Sequence, residues 1–243
     1  MARFFVDPEQ MENDCVVLTD ENAQHAKVLR LKAGEQVLVC DGMGVECVCE
    51  VAVMGNGEVA LNVLERREAV SEPSVRVSIY MGFPKSDKLE HVIQKATELG
   101  ASEIVAFPAQ RCVSRPDEKS IKKKLERWQK IAASAAEQSG RGVIPQVIVL
   151  DSYATALSRA VKADKALVFY ENERATTLRM ALDTGNFKTV SLMTGPEGGL
   201  EEKEVQQAME AGLQVCTLGR RILRCETAPL CALSAVMYAV GEF

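Results

Sequence analysis

Apolar positions in the first part of this chain come in short, alternating runs. Cys15-Val16-Val17-Leu18, Gln36-Val37-Leu38-Val39-Cys40, Glu46-Cys47-Val48-Cys49-Glu50-Val51 and Val59-Ala60-Leu61-Asn62-Val63-Leu64 read as strands. Asp41-Gly42-Met43-Gly44 and Gly55-Asn56-Gly57 are hairpin turn signals. Short strands with tight turns predict a small β-barrel. A charged stretch, Glu65-Arg66-Arg67-Glu68-Ala69-Val70-Ser71-Glu72-Pro73, then breaks the pattern and marks a boundary, giving domains of 1–72 and 73–243.

Beyond the boundary, strand and helix signals alternate. Strands are expected over 75–80, 104–107, 146–150 and 166–169, with helices over 89–99, 121–138 and 153–160. Two further β-branched runs, at 189–193 and 214–217, flank a helix over 200–211. Such alternation predicts an α/β fold with a parallel sheet covered by helices on both faces. A last helix, starting near Thr227 and running to Val240, carries almost no charge, and Pro229 suits its first turn. A helix apolar all round must be covered all round. One sheet face covers only part of it, so a partner subunit is expected to supply the rest; the alternative is complete burial within the monomer.

Composition narrows the class. At 243 residues and 47% apolar content, the chain can bury one large core or two smaller ones. No apolar run approaches about eighteen residues, so no membrane span is expected. The start, Met1-Ala2-Arg3-Phe4-Phe5-Val6-Asp7-Pro8, does not read as a secretory signal. The eight cysteines include no Cys-x-x-Cys pair, and His25 and His91 are the two histidines. Zinc spacing is absent, so the thiols are expected to be reduced, cytoplasmic and metal-free.

The net charge of −5 argues against a nucleic-acid partner until its distribution is considered. Between Arg111 and Lys130, eight basic residues face Asp117, Glu118 and Glu126. The lysines fit a solvated helix face. Arg111 and Arg115 precede that helix and suit phosphate better, because a guanidinium matches phosphate oxygens with paired hydrogen bonds.

The strongest chemical signal lies in two loops, each leaving a β-branched run: Thr194-Gly195-Pro196-Glu197-Gly198-Gly199, and Leu218-Gly219-Arg220-Arg221-Ile222-Leu223-Arg224-Cys225-Glu226-Thr227. Ligands of α/β sheets bind at the carboxyl ends of strands. Two adjacent strands with glycine-opened exits can present bare backbone groups to one small molecule. Gly-Pro-x-Gly-Gly alone also fits an ordinary strand-to-helix turn. The apolar Ile222 and Leu223 between arginines do not fit a plain solvated loop. Neither G-x-G-x-x-G nor a P-loop lysine motif is present.

These loops resemble the SPOUT class of S-adenosylmethionine-dependent RNA methyltransferases, and most closely the ribosomal RNA small-subunit methyltransferase E family. Arg3-Phe4-Phe5, His25-Ala26-Lys27-Val28-Leu29-Arg30, Lys85-Ser86-Asp87-Lys88, Gln94-Lys95-Ala96-Thr97-Glu98-Leu99-Gly100 and Glu137-Gln138-Ser139-Gly140-Arg141 extend the likeness along the chain. The resemblance implies a PUA-like RNA-binding barrel over 1–72, and a SPOUT domain over 73–243 whose C-terminal chain threads a trefoil knot. It also implies a homodimer packed through the last helix, and methylation of N3 of a uridine in 16S rRNA of the small ribosomal subunit. It carries S-adenosylmethionine onto Gly195, Pro196, Glu197, Gly198, Gly199, Leu218, Gly219, Ile222, Leu223, Arg224, Thr227 and Ala228. An apolar slot with backbone hydrogen bonds suits neutral, flat adenine. The departures from the family stand at Arg220 and Cys225.

Methylating uracil N3 requires loss of its proton while charge spreads onto two carbonyl oxygens. Arg224 is the expected catalytic group, with Arg220 and Arg221 behind it; a phosphate clamp or a structural ion pair is the alternative role. Glu197 and Glu226 are candidate proton acceptors, and Glu226 could equally cap the final helix. The RNA surface is expected to include Arg3, His25, Lys27, Arg30, Lys85, Lys88, Arg111, Arg115 and Arg141, although a lone histidine is more often an ordinary surface residue. The base must be unstacked to expose N3, which favours a folded single-stranded element. Two alternatives are another SPOUT RNA methyltransferase, acting on ribose 2′-O or guanine, and an RNA-binding module without catalysis. The Asn-x-Gly-x-x-x-Arg motif of the ribose enzymes is missing, since Phe169-Tyr170 runs on into Glu171-Asn172-Glu173-Arg174.

Overall fold

In the computed structural model, β1 (Ala2–Phe5), β2 (Cys15–Leu18), β3 (Gln36–Cys40), β4 (Val45–Gly55) and β5 (Glu58–Glu68) form one sheet in the order β1-β3-β4-β5-β2. All neighbours are antiparallel except β1 and β3. Alternation dictates which side chains meet: Val37 and Val39, Val16 and Leu18, and Val59 and Leu61 are buried together with Phe4 of β1. The two edge strands therefore feed the same core. Helix α1 (Asp20–Val28), not foreseen in the sequence pattern, buries Ala23 and Ala26 there. Its Asn22 Nδ2 donates to Phe5 O at 2.8 Å, satisfying an edge-strand carbonyl that would otherwise be open to pairing. At the β4–β5 hairpin, Asn56 and Gly57 have φ of 50° and 85°, the paired left-handed conformation of a two-residue turn.

The remaining strands are β6 (Arg76–Gly82), β7 (Glu103–Phe107), β8 (Gln146–Val149), β9 (Lys165–Phe169), β10 (Thr189–Thr194) and β11 (Gln214–Cys216). They form a six-stranded sheet in the order β11-β9-β10-β6-β7-β8, parallel throughout. The helices are α2 (Lys88–Glu98), α3 (Glu118–Ser139), α4 (Tyr153–Ala160), α5 (Leu178–Leu182), α6 (Glu202–Ala211) and α7 (Thr227–Ala239). On one face, Tyr80, Phe107, Val168 and Met193 pack with Leu157 of α4 and Val205 of α6. The alternate residues Ile79, Met81 and Leu192 are fully buried on the other, where α7 meets β6, β10 and α2. Near-continuous burial along the inner strands β6, β7 and β10 follows from this two-sided cover.

The structure describes residues 1–113, 118–183 and 186–243. The chain divides into two compact units, Met1–Glu72 with Ala136–Ile144, and Pro73–Ala135 with Pro145–Phe243. Glu72 explains why the later segment joins the first unit. Its carboxylate accepts from Gly142 N at 2.9 Å and Val143 N at 3.1 Å, and pairs with Arg141 Nη2 at 2.6 Å. Read from sequence, 136–144 belonged to the second domain; nothing in its pattern announces the distant carboxylate that holds it.

Candidate active site

The expectation that the two glycine-bearing strands are neighbours is corrected: β9 lies between β10 and β11. Its exit becomes part of the site. A pocket of about 350 Å³ is lined by Phe169, Tyr170 and Glu171 at the end of β9, by Thr194 to Leu200 at the end of β10, and by Thr217, Leu218, Gly219 and Arg221 to Cys225 after β11, with Ala228 on α7. Both loops singled out in the sequence therefore meet in one cavity. Of the expected cofactor residues, Gly195, Pro196, Glu197, Gly198, Gly199, Leu218, Gly219, Ile222, Leu223, Arg224 and Ala228 line it, and Thr227 does not. Arg221 lines it and Arg220 does not.

Glycine is required here for room. A Cβ on Gly195 would stand 2.7 Å from Gly199 C and 2.8 Å from Leu200 N, so the loop closes on itself only without one. Gly199 has φ +70°, and a Cβ there would lie 2.9 Å from a Glu171 carboxylate oxygen. Thus the β9 exit presses a carboxylate against the glycine loop. Sequence reasoning missed Glu171 because its loop carries no glycine signal.

Loops from neighbouring strands brace the pocket. Arg111 donates to Gly198 O at 2.9 Å, and its Nε lies 3.8 Å from Glu201. Buried Glu204, also missed, accepts from Gln110 N and from Glu201 N, each at 2.9 Å, fixing the β7 exit to the start of α6. At the β6 exit, Lys85 N donates to Glu197 Oε1 at 2.9 Å. Lys88 Nζ lies 3.2 Å from Glu197 and 3.1 Å from Glu226.

Those contacts set the ionisation of the two candidate acceptors. Burial pushes Glu197 up, but the Lys85 N–H and the Lys88 ammonium outweigh it and hold the carboxyl below its ordinary range. Burial likewise pushes Glu226 up; hydrogen bonds from its own backbone, the Cys225 thiol and Lys88 bring it below. Lys88 is raised by the Glu226 contact first, against desolvation, with Glu197 adding to the rise. Burial pushes the Cys225 thiol up to about 12, keeping it a neutral part of the wall. Among the described residues, no side-chain partner engages the exposed guanidinium of Arg221 or Arg224.

The expected RNA residues have different fates. Arg3 is 10% exposed, and its Nη1 lies 3.1 Å from Glu46, which is 1% exposed and also held by Arg67 at 2.9 Å. Arg141 is 5% exposed and committed to Glu72. These two guanidiniums hold the first unit together and present no free edge. His25 Nδ1 lies 2.9 Å from Glu137, with its ring edge-on to Phe4. Lys27, Arg30, Lys85 and Arg111 are exposed, and Lys88 is partly covered. Arg115 lies outside the described residues.

Comparison with known proteins agrees with this architecture. A family profile described as an RNA methyltransferase domain matches residues 71–237, and one described as an RNA methyltransferase PUA domain matches residues 18–64. The ribosomal RNA small subunit methyltransferase E of Bacillus subtilis is 39% identical, over 98% of this chain and 96% of its own. A crystal structure of ribosomal RNA small subunit methyltransferase E from Neisseria gonorrhoeae bound to S-adenosyl methionine is 34% identical, with a TM-score of 0.88 over 100% of this chain and 99% of that one. A putative methyltransferase from Legionella pneumophila, in complex with bound cofactor SAM, is 28% identical with a TM-score of 0.83, covering 98% of this chain and 97% of that one. The parallel α/β sheet with a PUA domain is the SPOUT-type class of these neighbours. The chain belongs to the ribosomal RNA small subunit methyltransferase E family of RNA methyltransferases.

Proposed function

We propose that this protein transfers the methyl group of S-adenosylmethionine to N3 of a specific uridine in 16S rRNA of the small ribosomal subunit. The observation that carries the reading is the pocket in which the glycine loops after β10 and β11 meet. Its size falls within the roughly 300–1,000 Å³ of small-molecule sites, and its mix of apolar side chains and exposed glycine backbone suits adenine better than phosphate. The relatives bound to the same cofactor support the assignment. When bound, the cofactor supplies an electrophilic methyl on a sulfonium.

The chain's own residues orient the base and stabilise its charge. Arg224, and Arg221 beside it, line the pocket with guanidiniums that have no side-chain partner among the described residues and suit carbonyl oxygens gaining negative charge. Glu197 and Glu226 are poor proton acceptors, because both carboxyls are held below their ordinary range against burial, Glu197 first by the Lys85 N–H and Glu226 first by its own backbone N–H, with Lys88 adding to each. Catalysis then rests more on stabilising the uridylate anion than on a strong base. The PUA domain, with exposed Lys27 and Arg30, is the RNA-binding part of this proposal, and Lys85 and Arg111 serve on the catalytic side. A C-terminal trefoil knot, a cytoplasmic site of action and a homodimer packed through α7 belong to the same reading. For the dimer, α7 buries Ala232, Leu233, Val236 and Met237 but leaves Cys231 and Tyr238 exposed, the latter at 74%. Light scattering after gel filtration checks it, with a mass near twice 26.5 kDa expected.

The decisive experiment incubates the protein with labelled S-adenosylmethionine and small subunits from cells lacking the modification, then maps the product nucleoside. N3-methyluridine is expected. A 2′-O-methylated nucleoside or a methylated guanine would move the protein to another RNA methyltransferase activity, and cofactor binding without transfer would reduce it to a binding module.

A further inference from the structure

Lys88, expected on the RNA surface, is partly covered and its ammonium pairs with two carboxylates. It opens α2 after the β6 exit and lies 3.2 Å from Glu197 of the β10 loop, 3.1 Å from Glu226 just before α7, and 3.6 Å from Cys225 Sγ. Glu197 and Cys225 both line the pocket. We propose that Lys88 is a positioning residue that ties the two glycine-bearing loops together through Glu197 and Glu226, so setting the shape of the pocket between them. The proposal rests on the reading of that pocket as the S-adenosylmethionine site.

The arrangement is one cation between two anions from segments far apart in sequence. Without the ammonium, the carboxylates would face each other with mutual repulsion alone, and the loops would part or one carboxyl would take up a proton. The remaining contacts do not bridge the loops. Glu197 keeps the Lys85 N–H, and Glu226 keeps the Cys225 thiol, but neither contact joins one loop to the other. The groups facing Lys88 are thus Glu197, Glu226 and Cys225.

The pH behaviour follows with a definite sign. Both carboxyls have lowered folded values, so their contribution is complete above the ordinary carboxylate range and fades as pH falls through those lowered values. Lys88 is raised, so its contribution is complete below the ordinary lysine value and fades as pH rises through the raised one. Across neutral pH the wild-type tie is constant. In Lys88→Met the two carboxylates lose the cation between them, so the ionisation of one of the pair moves upward.

The test compares wild type, Lys88→Met and Lys88→Arg by S-adenosylmethionine calorimetry from pH 5 to 9, and by hydrogen exchange of 194–200 and 218–226 without ligand. Lys88→Met is expected to weaken binding about tenfold or more at pH 7.5, with recovery toward pH 5, and to speed exchange in both loops. Lys88→Arg is expected to restore most of both. Unchanged exchange in Lys88→Met, or an affinity loss equal at every pH, overturns the proposal. If wild type takes up no S-adenosylmethionine while Lys88→Met still loosens both loops, the cofactor reading falls and the tie stands.

Discussion

Arginines in the two units are used in opposite ways. In the first unit Arg3 and Arg141 are at most 10% exposed, and each meets a carboxylate, Glu46 or Glu72. In the second, Arg221 and Arg224 stand exposed beside the pocket, with no side-chain partner among the described residues. A guanidinium already paired and desolvated stabilises the fold and has little left to offer a ligand. One held in place by its backbone but left unpaired is available to charge that appears during a reaction. Position in a basic motif does not distinguish the two; burial and pairing do.

The sharpest break of this contrast removes a cation from the first unit. Arg141→Met leaves Glu72 without its ion-pair partner and is expected to cost about 3–5 kcal/mol of that unit's stability. Urea unfolding followed by far-UV dichroism reads the cost, and a loss below about 1 kcal/mol, in the range of an exposed pair, would erase the distinction. The mirror experiment is Arg224→Ala. It is expected to leave thermal stability nearly unchanged and to lower kcat about 10²- to 10³-fold in a single-turnover methylation assay. A large fall in melting temperature with kcat intact would make Arg224 the structural residue instead.

A smaller effect tests the pocket's close approach. Gly199→Ala forces an alanine to φ +70° and crowds the Glu171 carboxylate, and calorimetry is expected to find S-adenosylmethionine bound about tenfold more weakly. Equal affinity would mean that the β9 exit yields freely. Smallest is the double change Lys27→Ala and Arg30→Ala on the first unit. It is expected to weaken RNA binding by a few-fold near 0.15 M salt and less at higher salt, as exposed phosphate contacts do. A filter-binding series that showed no salt dependence of the difference would remove these residues from the RNA surface.

What could be read from the chain beforehand was whatever short-range pattern encodes. The helix expected over 153–160 is α4 (Tyr153–Ala160), and the Asn56-Gly57 turn has its left-handed backbone. Short apolar runs, alternating in the first sheet and more continuous in the second, mark every strand except β1, because each has a buried face or two. β1 was missed because a four-residue edge strand paired in parallel with β3 has too few positions to show a period. α1 was missed because its buried side is made by two alanines, Ala23 and Ala26, a weak apolar stripe. Long-range order was harder still. Strand β9 between β10 and β11 is fixed by crossovers that leave no mark on local composition, and so Glu171 and Tyr170 stayed out of the expected site. Glu197, Glu226 and Lys88 were all noticed, but only their spatial meeting turns candidate bases and a candidate RNA contact into one ionic tie. Thr227 is not part of the cavity lining, where α7 contributes the next position, Ala228.

The central claim is that the loops after β10 and β11 enclose one S-adenosylmethionine molecule, which depends on Gly195 having no side chain. Titrating the cofactor into wild type and into Gly195→Ala tests it most directly. One site per chain is expected in wild type, with binding weakened at least tenfold in the folded variant, where a Cβ would meet Gly199 C at 2.7 Å. No heat in wild type, or the same affinity in both proteins, would contradict the account.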